Sequence, residues 1–330
     1  MFTLRFDMRA PDWAGPAADL YGAAIDMCAW AETRGAALAV LSEHHGADDG
    51  HLPAPLMLAS AIAARTRTLA ILLAAVAIPL WDPVRLAEEM SVLDLISRGR
   101  VWYAFGVGHR HEEYEHFGAD MTTRGRVADE MLAVLGPLVR GEVVEYRGRQ
   151  VRVTPPCATD GGPMVLIAGG SKAAARRAGT HGFGFVSQTA LPGLKEFYES
   201  QCRAHGHQPG MIQFPVEGAP TTVFVASDAP GAVDEAWDVL GPHLLHDAIM
   251  AASYRPHDDS VASISRADSV AALREEIGGP YRILTPDEAT DYIRGGRLLP
   301  LHPLCGGLAP EVAWPYLELA VAAAARAQDQ

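Results

Sequence analysis

The chain has 330 residues, 49% hydrophobic and 20% charged, and its 27 Lys and Arg against 40 Asp and Glu give a formal net charge of −13. An acidic chain without a basic run argues against a nucleic-acid or anionic-membrane partner, because phosphate contacts need clustered Lys and Arg. No apolar stretch reaches the roughly 18 residues of a membrane helix, Arg5 interrupts the start where a signal peptide needs an apolar core, and the scattered Cys28, Cys157, Cys202 and Cys305 read as reduced cytoplasmic thiols rather than a zinc ribbon.

Strand and helix patterns alternate along the chain. Phe2–Phe6 reads as a first strand, and residues 19–33 as an amphipathic helix ended by Gly35. Ala36–Leu41 is a second strand, and residues 54–65 a helix of small residues. Residues 69–78 form a third strand, apolar throughout, as expected of a parallel sheet covered on both faces. Pro83 opens a helix to about Ile96, followed by a strand over 101–105 and the loop from Gly106 to Glu113. Residues 125–140 are a fourth helix, 143–153 a hairpin turning at Arg147-Gly148-Arg149, and 164–168 a fifth strand. A helix follows to Ala178, then a strand over 182–187, a helix over 194–204, a strand over 221–226 and a helix over 232–245. The stretch of about 254–285 is less periodic and is expected to be an insertion, either a lid or a surface excursion. A short helix over 286–293, a strand over 298–302 and a helix over 310–326 complete the chain.

Eight strands alternating with about eight helices predict an α/β fold, a (β/α)8 TIM barrel in one domain over 1–330, with the hairpin after the fourth helix and the insertion after the seventh strand. An open doubly wound sheet is the alternative. Gly106-Val107-Gly108 follows a strand but lacks the third glycine and the helix opening of a dinucleotide fingerprint.

The chemistry concentrates where the second strand ends, at Ser42-Glu43-His44-His45-Gly46, because loops at the carboxyl ends of parallel strands carry function. Two adjacent residues of an extended segment point to opposite sides, so at most one of His44 and His45 faces a pocket fully. An imidazole here is an acid, a base or an orienting group, or else a buried histidine bonded to backbone. A metal reading would join them to Asp48, Asp49 and His51, but no matching His or Asp stands at the ends of the fourth to seventh strands, so no metal site is expected. Gly169-Gly170-Ser171 joins a strand to a helix start, which makes either a phosphate cradle or a plain capped turn. Glu112, Glu113 and Glu115 with His111 and His116 read as a solvated loop face. Arg124 and Arg126 near a helix start read as solvated or ion-paired.

Several stretches together resemble the bacterial luciferase-like flavin-dependent monooxygenases: 42–45, 72–79, 82–89, 93–100, 105–108, 117–120 and 168–171, with Pro303-Leu304-Cys305-Gly306-Gly307-Leu308 near the end. The resemblance implies the same barrel and an oxidoreductase that binds reduced FMN and O2, passes through a C4a-(hydro)peroxyflavin and oxygenates a small organic substrate. It implies His44 and His45 as catalytic candidates. For the cofactor it implies Glu43, Ala74 and Ala75 (joined by a non-proline cis peptide), His109, Arg110, Gly169, Gly170 and Ser171. It further implies a homodimer, with the helix over 54–65 as one face, and a separate flavin reductase, since no NAD(P)H motif is present. The pattern departs from the luciferase at three places. His109 stands at the phosphate-binding Arg position with Arg110 beside it, Gly108 stands where that enzyme has a reactive Cys, and Ala174 where a phosphate-contacting Thr is common. Hydride transfer with the deazaflavin F420 on the same barrel is the alternative. A non-catalytic flavin binder and a metal-dependent hydrolase are more distant ones.

Overall fold

The computed structural model describes residues 1–255 and 264–328. In chain order its elements are β1 (Phe2–Phe6), α1 (Ala17–Glu32), β2 (Ala36–Leu41), α2 (Pro55–Arg65), β3 (Ala70–Ala77), α3 (Pro83–Ser97), β4 (Val101–Gly106), α4 (His111–His116), α5 (Arg124–Val139), β5 (Val144–Tyr146), β6 (Arg149–Val151), β7 (Val165–Ala168), α6 (Lys172–His181), β8 (Gly184–Val186), α7 (Leu194–Ala204), β9 (Ile212–Gln213), β10 (Thr222–Val225), α8 (Ala232–Ser253), α9 (Val270–Glu275), β11 (Tyr281–Leu284), α10 (Pro286–Arg294), β12 (Leu299–Leu301) and α11 (Pro310–Arg326).

The chain divides into two compact units. One comprises Met1–Val40, Ala47–Leu52 and Pro215–Gln330. Its strands run in the order β11-β10-β12-β1-β2, with β1 parallel to β12 and β10 parallel to β11 and β12. Phe2, Leu4 and Phe6 alternate into its core, the period-2 pattern of a strand with one face on the interior. The other unit comprises Leu41–Gly46 and Pro53–Phe214. Its order is β3-β4-β7-β8-β9, parallel where β3 meets β4, β4 meets β7, β7 meets β8 and β8 meets β9. Tyr103, Phe105 and Phe185 are fully buried there.

Local chemistry explains the boundaries. Asp82 caps α3 by accepting from the N–H groups of Val84 and Arg85, and Pro83 takes the first helical position. Arg98 closes the same helix in the left-handed conformation. The Arg100 guanidinium then donates to the carbonyls of Ala63, Thr66, Leu69 and Ser97 and to the Thr66 hydroxyl, tying the ends of α2 and α3 to the start of β4. The hairpin β5–β6 follows α5 as expected.

Two strands add to the eight expected. β9 has only two residues, too few to show a period. β11 lies at the end of the stretch read as an insertion. Its burial alternates, and it pairs with β10 from Thr222↔Tyr281 to Val225↔Leu284. Within the same stretch Val270–Glu275 is helical, while 256–263 lie outside the described residues. Helix α8 runs two turns beyond Leu245, because His246 and Asp247, polar residues that mimic a helix end, are held by partners inside the fold.

Candidate active site

The site in the second unit is built from the segment after β2, the loop after β4 and the short helix α4. His44 is partly buried, and its Nδ1 lies 2.8 Å from Glu113 Oε1. The same oxygen accepts the His45 backbone N–H at 3.0 Å and the Arg110 guanidinium at 3.1 Å. Arg110 also donates to the His45 carbonyl at 3.1 Å. Glu113 therefore gathers three donors on one buried carboxylate oxygen. Burial alone would raise its carboxyl. The His44 hydrogen bond and charge, the His45 N–H and the Arg110 charge outweigh that and hold it down at about 2. A carboxylate on Nδ1 fixes that nitrogen as the protonated one and makes Nε2 the basic nitrogen of His44.

His45 takes a different carboxylate, at a bend that follows β2. Its Nε2 lies 3.0 Å from Glu43 Oε1, and its ring meets Phe117 edge-on at 4.7 Å. Glu43 Oε1 also receives Trp81 Nε1 at 3.3 Å and the Ala77 N–H at 3.4 Å. Glu43 Oε2 is buried and has no hydrogen-bond partner among the described residues. His109 packs edge-on against His44 at 5.7 Å, which places it with Arg110 beside the imidazole. The Tyr114 hydroxyl donates to the Val107 carbonyl and anchors the Gly106–Gly108 loop.

The strand ends next to this cluster are unusually smooth. Ala74–Ala75 is a cis peptide, as the resemblance implies, and the pairing of β3 with β4 shifts register there. A side chain on Gly106 would meet Ala75 at 3.4 Å and the Ala168 carbonyl at 4.0 Å, so the ends of β3, β4 and β7 converge. After β7, Gly169 adopts φ +155°, and a Cβ there would lie 2.8 Å from Ala174. A Cβ on Gly170 would collide with the Thr189 side chain, whose hydroxyl donates to the Gly170 carbonyl at 3.1 Å. Ser171 caps α6 by accepting from Ala174 N at 3.3 Å, which leaves its own O–H as a donor.

The structure thus brings Glu43, His44, His45, His109 and Arg110 together, sets Ala75 against Gly106 and pairs Ala74 with Ala104. Gly169, Gly170 and Ser171 form a bare backbone turn at a helix start. Sequence reasoning missed Glu113, Trp81 and Thr189. Glu113 was expected on a solvated loop face and is instead buried in a helix. His111, Glu112, Glu115 and His116 are the exposed members of that run. Tyr114 is the one apolar residue of α4, too little to show a period among the surrounding charges, although it and Glu113 form the buried face. Arg124 donates to the Met121 carbonyl and Arg126 pairs with Glu130, so both serve the start of α5. Of the residues in the metal reading, Asp49 is engaged by Arg9 at 2.6 Å and His246 at 3.0 Å, and Asp48 is exposed.

Comparison with known proteins assigns the class. The model of the luciferase-like monooxygenase family matches residues 5–285, and the chain belongs to that family. A curated relative is the oxygenase component of the flavin-dependent trigonelline monooxygenase of Acinetobacter baylyi, 29% identical over 131 residues, which cover 39% of this chain and 36% of that one. Among solved structures, monooxygenase RslO1 from Streptomyces bottropensis superposes with a TM-score of 0.74 at 21% identity, covering 99% of both chains. The oxygenating constituent of 3,6-diketocamphane monooxygenase from Pseudomonas putida, solved in complex with FMN, superposes with a TM-score of 0.69 at 20% identity, covering 96% of this chain and 95% of that one. The chain spans from about a third to about half the length of the curated relatives it matches. The α/β class expected from the sequence, that of TIM-barrel monooxygenases, is the class of these neighbours. No helix among the described residues is long and apolar enough to cross a membrane.

Proposed function

We propose that the protein is a flavin-dependent monooxygenase that takes reduced FMN and O2 and oxygenates a small organic substrate. The observation that carries this reading is the buried Glu113–His44 pair beside smooth strand ends, within a chain of the luciferase-like family. The residues fit a flavin in two ways. Glu43 Oε2 is a buried acceptor lacking a donor, and a flavin ring offers an N–H. Gly169 and Gly170 admit no Cβ, and Ser171 opens a helix of ten residues, a set suited to a phosphate. Arg110 supplies the positive charge and His109 a ring nitrogen, in place of the single Arg of the luciferase pattern. Bound reduced flavin supplies the electrons that activate O2.

The protein's part is positional. Glu113 holds the His44 ring and keeps its proton on Nδ1, so Nε2 accepts or returns a proton at the substrate. Arg110 holds the His45 carbonyl and Glu113 together, which fixes the segment carrying both imidazoles. His45, bound to Glu43, orients that carboxylate rather than exchanging protons. A separate reductase delivers the reduced flavin, a role supported by the relative that is itself an oxygenase component. The protein acts as a homodimer through α2 and α3, where Met57, Val92, Leu95 and Ile96 are exposed apolar side chains.

An anaerobic titration with reduced FMN, and separately with reduced F420, tests the cofactor. Tight binding of reduced FMN is expected. Binding of F420 alone would replace oxygenation with hydride transfer, and binding of neither would leave the likeness at the level of fold.

A further inference from the structure

The first unit contains a cluster of chemically able side chains to which no role has been given. The geometry points to Asp247, His302 and Cys305 as a binding site for a borderline-soft divalent cation of the zinc type. One donor atom from each lies within 4.8 Å of the others, and all three residues are buried.

Local structure sets the trio. β12 ends at Leu301, His302 follows it, and Cys305 begins the tight turn Cys305–Gly307. Asp247 lies on α8, one turn beyond His243, whose Nδ1 is 2.9 Å from the Gly306 carbonyl and holds the helix against that turn. Gly306 has no Cβ because the His243 backbone fills the space.

The donors are polar and short of partners. His302 Nδ1 makes no hydrogen bond and Nε2 has only its contact with Asp7, although the residue is 1% exposed. Asp247 Oδ2 accepts from the Tyr281 hydroxyl at 2.8 Å and from Arg5 at 3.3 Å, while Oδ1 has no hydrogen bond and only an ion-pair contact with Arg9 at 3.4 Å. Buried polar atoms of this kind are costly unless something binds them. Asp7 Oδ1 stands 3.3 Å from His302 Nε2, and a carboxylate beside the imidazole is the arrangement that orients metal-binding histidines.

Charge points the same way. Asp7, Asp49 and Asp247 converge there against Arg5 and Arg9, with His246 on Asp49 and His302 on Asp7. A divalent ion held by Asp247, His302 and the Cys305 thiolate releases the thiol proton to solvent and adds positive charge among these carboxylates. Tetrahedral zinc with bonds of about 2.0–2.3 Å sets its donors about 3.5 Å apart, so binding draws the trio in by about 1 Å.

Titration of the flavin-free full chain with Co2+ under argon tests the site. The expected result is one Co2+ per chain with thiolate-to-metal charge-transfer absorption. Excess Zn2+ abolishes it, Cys305→Ser removes it and Cys157→Ser leaves it. Zn2+ also raises the melting temperature of the wild-type chain, and it slows alkylation of Cys305 in partly denatured wild-type chain. Absence of the charge-transfer band in the wild type overturns the site whatever the variants do. So does a band that survives Cys305→Ser, or equal alkylation of Cys305 with and without Zn2+.

Discussion

Replacing Glu113 by Gln keeps the shape of the side chain and removes the charge that His44, the His45 N–H and Arg110 all address. The carboxyl is held at about 2 against an ordinary 4.5. At about 1.36 kcal/mol per unit, that difference is worth about 3 kcal/mol of stability at neutral pH. For a chain of 330 residues, at about 2.1 cal/mol/K of unfolding entropy per residue, the loss lowers the melting temperature by roughly 4 °C. Because the folded value is depressed, the contribution is complete above the unfolded value of 4.5 and drains as pH falls towards 2. The wild type and Glu113→Gln should therefore differ in urea stability at pH 7 and converge in acid. The Gln amide can also present an N–H to His44 Nδ1, which moves the imidazole proton to Nε2. The expected functional result is a fall in kcat of about 100-fold, with a changed tautomer in imidazole nitrogen NMR. Equal melting temperatures, or a stability gap that does not change between pH 5 and about pH 2, would refute the reasoning.

Gly170→Ala forces a Cβ into Thr189, so it should cost about 1–3 kcal/mol and weaken flavin affinity, while Thr189→Gly in the same chain restores both. Thermal melts and equilibrium dialysis read the two effects. Asp94→Asn weakens a buried carboxylate that takes the N–H groups of Ala158 and Thr159 and the Thr159 hydroxyl at 2.6–2.9 Å. It should cost about 2–3 kcal/mol in urea unfolding and leave flavin binding unchanged. At neutral pH the native thiols should react slowly with iodoacetamide, because Cys28, Cys202 and Cys305 are buried and burial pushes Cys157 up to about 11. Rapid labelling of Cys157 would contradict its surroundings.

The alternation of strands and helices was legible because parallel strands buried on both faces read as unbroken apolar runs, as at Leu72-Leu73-Ala74-Ala75-Val76. Pro83 marked a helix start directly, and the structure adds the Asp82 cap before it. Strands of two residues or in a Pro- and Gly-rich setting, such as β9 and β11, were not legible, because their pairing depends on neighbours distant in sequence. The Glu43-His44-His45 corner was visible as residue types at a strand end. Its organisation was not, since Glu113 reaches it across a sequence separation of 69 residues and sits in a run that composition alone assigns to solvent. Asp247 and His302 were hidden for the same reason, one inside what read as a helix end and the other after a short strand.

The most direct test of the oxygenase reading is to mix the anaerobic complex of the protein and reduced FMN with O2 and follow flavin reoxidation. The account predicts reoxidation much slower than that of free reduced FMN, and slower in the wild type than in His44→Ala or Glu113→Gln. Reoxidation at the rate of free flavin, unchanged by either substitution, would contradict it.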